Sequence, residues 1–160
     1  MSVETVRKYL SSFGHGDGIM EFDVSSATVE LAAAALGTEG RRIAKSISLK
    51  QGDKAVIIVA SGDARIDNRK YKDRFSQKAK MLSHDEVEEL TGHAVGGVCP
   101  FAVKDGVDVY LDESLKRFDT VYPACGSSNS AIELSVQELE RISDHFCGWV
   151  DVTTIPQEDA

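Results

Sequence analysis

The chain has 160 residues and a mass of 17.4 kDa, with 42% hydrophobic and 28% charged residues, the balance of a globular protein large enough to bury one core. Its longest apolar runs, residues 32–36 and 55–60, are far too short to span a bilayer, and the N-terminus carries no basic-then-apolar leader, so a membrane role and secretion are not expected. The formal net charge of −8 argues against a general binder of nucleic acid, DNA included.

That charge is unevenly spread. Residues 41–80 hold twelve Lys or Arg against four Asp, a net of +8, while the remainder holds six basic against twenty-two acidic groups, a net of −16. A basic quarter on an acidic chain suits docking of one particular anionic partner as well as it suits a solvated charged face. Three cysteines, Cys99, Cys125 and Cys147, are an odd number without C-x-x-C spacing, which points to a reducing compartment, the cytoplasm, and away from a disulfide framework or structural zinc.

In chain order, Val3, Val6, Leu10 and Phe13 recur at helical spacing, with Ser2 as the expected N-cap. Gly14-His15-Gly16-Asp17-Gly18 follows a helix and precedes an expected strand over 19–24, the wrong order for a phosphate cradle. Ser25 or Ser26 is expected to cap a second helix, which Gly37 stops. Residues 42–50 read as a strand with Ile43, Lys45, Ile47 and Leu49 in one row, which puts a lysine among apolar residues. Such a lysine either snorkels from the rim or serves an anion on an inward face. The β-branched run 55–60 predicts a strand covered on both faces. Residues 65–80 are basic and partly helical, with Tyr71 and Phe75 four apart, and Ser83-x-x-Glu86 opens a helix that ends at Gly92.

Gly96-Gly97-Val98-Cys99-Pro100-Phe101 comes next. Its glycines free the backbone, Pro100 stiffens it, and its other residues are apolar, a composition suited either to plugging the core or to presenting main-chain N–H groups to a ligand. Strands are then expected over 107–111, 118–124 and 130–134, a helix opened by Ser135-x-x-Glu138 and carrying Val136, Leu139, Ile142 and Phe146, a last strand over 149–153, and a tail from 155. About seven strands among about five helices, with hairpin turns and helical crossovers intermixed, predict an α/β protein with a mixed sheet in one domain over 1–160.

For chemistry, the chain has neither a G-x-S-x-G elbow nor a P-loop, and its four histidines lack metal-ligand spacing, so no metal and no cofactor are expected. Cys99 and Cys125 are candidate thiol nucleophiles without a recognisable histidine partner. What remains is an inward lysine, a loop of backbone donors and a Gly-Ser-Ser-Asn turn.

Arg42-Ile43-Ala44-Lys45-Ser46, Val59-x-Ser61-Gly62-Asp63, Gly96-Gly97-Val98-Cys99-Pro100-Phe101 and Gly126-Ser127-x-Asn129-x-Ala131-Ile132 together resemble the YbaK family of free-standing aminoacyl-tRNA deacylases, related to the editing insertion of bacterial prolyl-tRNA synthetases. The likeness runs in the same order from about residue 20 to 152. It implies a mixed, mostly antiparallel barrel-like sheet with surrounding helices, hydrolysis of a mischarged aminoacyl ester, tRNA as partner and prolyl-tRNA synthetase as a further candidate partner. It places Lys45 at the family's essential lysine, near the terminal adenosine, and Gly96 and Pro100 at the ends of a G-x-x-x-P loop whose main chain places the attacking water. By the same resemblance Ser46, Gly97, Val98, Cys99, Phe101, Gly126, Ser127 and Asn129 are expected to contact substrate. One departure stands out. Cysteinyl-tRNA deacylases of this type carry Ser-Ala-Gly-x-Arg-Gly where this chain has Ala124-Cys125-Gly126-Ser127-Ser128-Asn129, which leaves alanine, serine and cysteine esters all open. A non-catalytic module that binds an aminoacyl group or nucleotide beside a synthetase is the alternative.

Overall fold

A computed structural model describes residues 3–156. In chain order the elements are α1 (Val3–Ser11), β1 (Met20–Glu21), α2 (Val29–Leu36), β2 (Ile43–Gln51), β3 (Lys54–Ser61), β4 (Arg65–Ile66), α3 (Asn68–Phe75), α4 (His84–Thr91), β5 (Asp108–Asp112), β6 (Thr120–Pro123), β7 (Ser130–Ala131), β8 (Leu134–Ser135), α5 (Val136–Ile142), β9 (Phe146–Val150) and β10 (Thr153–Thr154). Short 3₁₀ turns at Gly16–Gly18, Gly40–Arg42 and Glu113–Arg117 link them.

Six strands form a curled half-barrel in the order β8-β6-β2-β3-β5-β9. Its centre is the long β2–β3 hairpin, antiparallel from Ala44↔Ser61 to Gln51↔Lys54. β6 runs parallel to β2, β5 to β3 and β9 to β5, while β6–β8, β1–β7 and β4–β10 are antiparallel. The sheet is therefore mixed, as the alternation of hairpin and crossover signals requires. Every residue of β3 from Ala55 to Ser61 is buried, because its two faces feed two cores. Ile57 and Val59 pack with Val6, Leu10, Phe101, Leu139 and others from α1, α5 and the 96–101 loop. Val56 and Ile58 pack with Leu49, Val150 and Tyr71 of α3. Among the described residues no helix is long and apolar enough to cross a membrane.

Several element boundaries differ from expectation, each for a local reason. The cap of α2 is Thr28, whose Oγ accepts from the Leu31 N–H at 3.2 Å, and the Ser25 and Ser26 hydroxyls donate instead to the Ser128 carbonyl. The 19–24 strand shrinks to Met20–Glu21: the Phe22 N–H still donates to Asn129 O in register, but the Phe22 carbonyl accepts from the Asn129 side chain, which closes the ladder. The 130–134 strand splits into β7 and β8 where Ile132 turns inward, its N–H donating to Pro123 O at 3.0 Å. Phe146 belongs to β9 and not to the preceding helix, since Ser143 is extended and His145 is left-handed (φ 50°). The last strand divides into β9 and β10. The capping box at Ser83 is complete, whereas at Ser135 only half forms because Glu138 turns to Arg141 and His15. Ser2, the expected cap of α1, and the last four residues of the tail lie outside the described residues.

Candidate active site

A cavity of about 410 Å³ opens beside the start of β2. Lys45 and Ser46 of β2, Gly96 and Val98 of the glycine loop, Val29 of α2 and Val87 of α4 are among the residues that line it. Two stretches far apart in sequence, α2 with β2 and α4 with the glycine loop, thus meet at one hollow, whose walls are mostly apolar. Its titratable side chains are Lys45, the exposed His84 and Tyr122.

Lys45 is half-buried and sits where β2 begins to leave the central hairpin. Its Nζ donates to the carbonyl of Gly62, at 3.4 Å, and to that of Ala64. An ammonium has three N–H donors, so one remains for a ligand. Burial lowers the Lys45 pKa, and the nearby Asp63 charge offsets this only in part. Asp63 is itself committed elsewhere: burial pushes its carboxyl up, but hydrogen bonds from Arg117 and Ser61 hold it below its ordinary range. The Ser61-Gly62-Asp63 turn therefore holds the lysine through its main chain. Gly62 must be glycine there, since a Cβ would fall 2.0 Å from the Gly40 carbonyl oxygen. Beside Lys45, Ser46 lines the cavity with a sealed Oγ that has no hydrogen-bond partner among the described residues.

The glycine loop divides into a cavity half and a core half. Gly96 takes φ +87°, and neither its N–H nor that of Val98 donates a hydrogen bond among the described residues. Beyond Val98 the loop is anchored. Pro100 O accepts from the Asp144 N–H at 2.8 Å, and Phe101 O accepts from His93 Nε2 at 2.7 Å. Burial lowers the His93 pKa, which keeps the ring neutral with its remaining lone pair on Nδ1. Cys99 and Phe101 are fully buried, so their side chains belong to the core and do not reach the cavity. Burial pushes the Cys99 thiol up to about 12, and burial also raises Cys125, so neither sulfur is a ready thiolate.

Gly126, Ser127 and Asn129 are not on the cavity wall either; they form the layer behind it. A Cβ on Gly97 would lie 2.7 Å from both Gly126 C and Ser127 N, so the two turns touch backbone to backbone. Ser127 Oγ donates to Asn129 Oδ1 at 2.9 Å, and Asn129 Nδ2 donates to Phe22 O at 3.0 Å. Ser26 N donates to Ser128 O at 2.6 Å, which pins the strap that carries Ala27 and Thr28 to the cavity.

Sequence reasoning missed the strap, the Val29 side of α2, Met81, Val87 and Tyr122. Each reads as ordinary helix or strand packing, and only the tertiary fold turns it towards the hollow. Among the described residues no group of three or more His, Cys, Asp or Glu is placed to hold a metal ion.

With this geometry established, comparison with known proteins gives one answer. Residues 24–142 match the aminoacyl-tRNA editing domain, and the chain belongs to that family. It is 52% identical over 153 residues to the uncharacterized protein YwhH of Bacillus subtilis, covering 95% of this chain and 97% of that one. Proline–tRNA ligase of Bacillus cereus is 26% identical over 102 residues, which span 63% of this chain but 18% of the ligase. The crystal structure of a candidate trans-editing enzyme for prolyl-tRNA synthetase superposes with a TM-score of 0.84 at 28% identity, covering 95% of this chain and 96% of that one.

Proposed function

We propose that this chain is a trans-editing hydrolase that cleaves the ester of a mischarged aminoacyl-tRNA, with alanyl, seryl and cysteinyl esters on tRNA of the proline type as candidate substrates. The observation that carries the reading is that one cavity is lined by Lys45, with a donor to spare, and by Gly96 and Val98, whose N–H groups donate no hydrogen bond among the described residues. In this reading the lysine holds the terminal adenosine and the loop, set by Gly96 and Pro100, holds the reacting carbonyl. Water adds to that carbonyl, and the loop N–H groups stabilise the oxyanion. The tetrahedral adduct then collapses with loss of the ribose oxygen, which takes up the proton that water gives. The products are a free amino acid and uncharged tRNA. An aminoacyl ester is activated already, so positioning and oxyanion stabilisation suffice without a protein nucleophile. The sealed, high-pKa thiols of Cys99 and Cys125 favour this over a thiol mechanism. Ser46 and Val98 supply first contacts, while Gly97, Gly126, Ser127 and Asn129 act by holding the wall. The whole of 1–160 works as one editing unit in the cytoplasm, on tRNA charged by prolyl-tRNA synthetase.

Deacylation of Ala-, Ser- and Cys-charged tRNA tests the proposal, with acceleration expected on at least one. Lys45→Met should cut that rate roughly 10²–10³-fold, the cost of one well-placed donor. Its unfolding free energy should stay within about 1 kcal/mol of the parent, because two hydrogen bonds are lost but a half-buried charge is removed with them. Tight binding without accelerated hydrolysis on every ester would instead establish the non-catalytic module.

A further inference from the structure

The basic quarter of the chain is the largest feature that the cavity does not absorb. Residues 65–80 carry seven basic and two acidic side chains on a protein whose net charge is −8. The stretch leaves the sheet and returns to it, and both of its ends abut the cavity. At the outgoing end Ala64 O accepts from Lys45, and Arg65 follows directly, close enough to act on the lysine's charge. At the returning end Met81 bridges Leu49, Leu82 N donates to Ser48 O, and Ser48, Met81 and Leu82 all line the cavity.

Between these ends lies α3. Asp67 caps it, its Oδ1 accepting from the N–H groups of Arg69 and Lys70 at 3.0 Å. Tyr71 is fully buried and lies tilted against Phe75, ring centroids 4.7 Å apart, and Phe75 meets Tyr110 edge-on at 5.2 Å. The aromatic face fixes the helix on the sheet and leaves the cations outside. Lys70 is tied to Asp151 and Arg74 lies over Phe75 and Tyr110, so those two are partly spent on the fold. Arg69, Lys72 and Lys78 are exposed, and none of the three makes a side-chain hydrogen bond or ion pair among the described residues. Unpaired surface cations so concentrated, on an otherwise acidic molecule, repel one another unless an anion is brought to them.

We infer that the exposed face of the 65–80 excursion is the docking surface for an RNA duplex, the acceptor stem whose 3′ end enters the cavity. The identity of the RNA rests on the editing reading above; the surface rests on charge and chain path. Phosphates of a stem lying along Arg69, Lys72 and Lys78 release counterions as they are neutralised, and the single-stranded 3′ end continues past Arg65 or Met81 into the hollow. The contacts are to backbone and not to base edges, so this surface supplies affinity and approach without selecting among tRNA sequences.

The experiment is a salt titration of binding, by fluorescence anisotropy, to an uncharged acceptor-stem hairpin ending in single-stranded CCA. R69Q/K72Q/K78Q is compared with the parent and with K8Q/K104Q, which removes exposed lysines elsewhere. The expected result is a weakening of roughly tenfold per lost contact near 0.1 M salt and a salt slope reduced by about 1 for each. K8Q/K104Q should leave both unchanged. An equal loss in K8Q/K104Q, or an unchanged slope in the triple variant, overturns the inference. A second arm measures hydrolysis of a charged minihelix against a 3′-aminoacyl adenosine. The triple variant should slow only the minihelix, and equal slowing of both overturns the docking role. If the hairpin binds through this face but no ester is cleaved, the docking stands and the hydrolase reading falls.

Discussion

Two glycine-opened turns meet beside the cavity, residues 96–101 and 125–129, and they use their polar groups in opposite ways. In the second the Ser127 and Asn129 side chains are spent on the protein itself: Ser127 on Asn129 and Ser130, Asn129 on Phe22. In the first the anchored groups lie at the far end, Pro100 and Phe101, while Gly96 and Val98, which line the cavity, donate no N–H hydrogen bond among the described residues. One turn is a brace and the other is the braced surface. A loop can keep unpaired backbone donors only where something behind it is satisfied and rigid, because such groups otherwise pull the loop into other conformations.

The largest effect expected from disturbing this arrangement is at the contact itself. Gly97→Ala puts a methyl 2.7–2.8 Å from three backbone atoms of Gly126 and Ser127, and neither turn can yield without moving the other. Destabilisation of about 2–3 kcal/mol is expected in urea unfolding, together with loss of deacylation. Gly37→Ala is the control. Gly37, unlike Gly97, has positive φ, at 70°, but an added Cβ meets nothing within 4 Å, so only the conformational cost of about 1 kcal/mol applies. Equal costs at the two positions would mean that the turns are not in the close contact described.

A smaller effect is expected at the brace. Asn129→Ala removes the bond to Phe22 O and the acceptor for Ser127, which loosens the strap that carries Ala27 and Thr28. A loss of about 1–2 kcal/mol is expected. Deacylation should fall less than in Lys45→Met, with the change mainly in KM as the wall moves. If Asn129→Ala abolished turnover at unchanged stability, the turn would be touching substrate directly and the division of labour drawn above would be wrong.

The brace and the surface were not equally legible in the sequence. The mixed sheet, the doubly covered β3, both helix-opening serines at 83 and 135, and the Gly37 and Gly92 stops follow from short-range rules that need no tertiary information. The inward position of Lys45 was visible as a charge in an apolar row, although its anchoring by Gly62 and Ala64 carbonyls was not. Cys99 and Phe101 were grouped with the ligand contacts because a six-residue motif does not say where a loop turns from cavity to core; that depends on Asp144 and His93, which take up the Pro100 and Phe101 carbonyls. The Gly-Ser-Ser-Asn turn read as a contact for the same reason. A polar turn that grips a neighbouring strap and one that grips a ligand have the same composition.

The smallest effect, and the one that most sharpens the contrast, separates two serines. Ser127 spends its hydroxyl within the brace, so Ser127→Ala should lower the melting temperature. Ser46 lines the cavity with a sealed hydroxyl that has no partner among the described residues. Burying an unpaired hydroxyl costs free energy, so Ser46→Ala should stabilise the free protein by about 1 kcal/mol. A hydroxyl kept at such a cost beside Lys45 makes sense if a small rotation about χ1 presents it to substrate, and deacylation should then fall several-fold as stability rises. The opposite signs in the two variants, read by thermal melting and by kcat/KM on the same preparations, distinguish a wall from a brace. A lower melting temperature in Ser46→Ala would show that its hydroxyl is bonded in the resting protein. Ser46 would then belong with Ser127 among the residues that hold the site and not with those that meet the ligand.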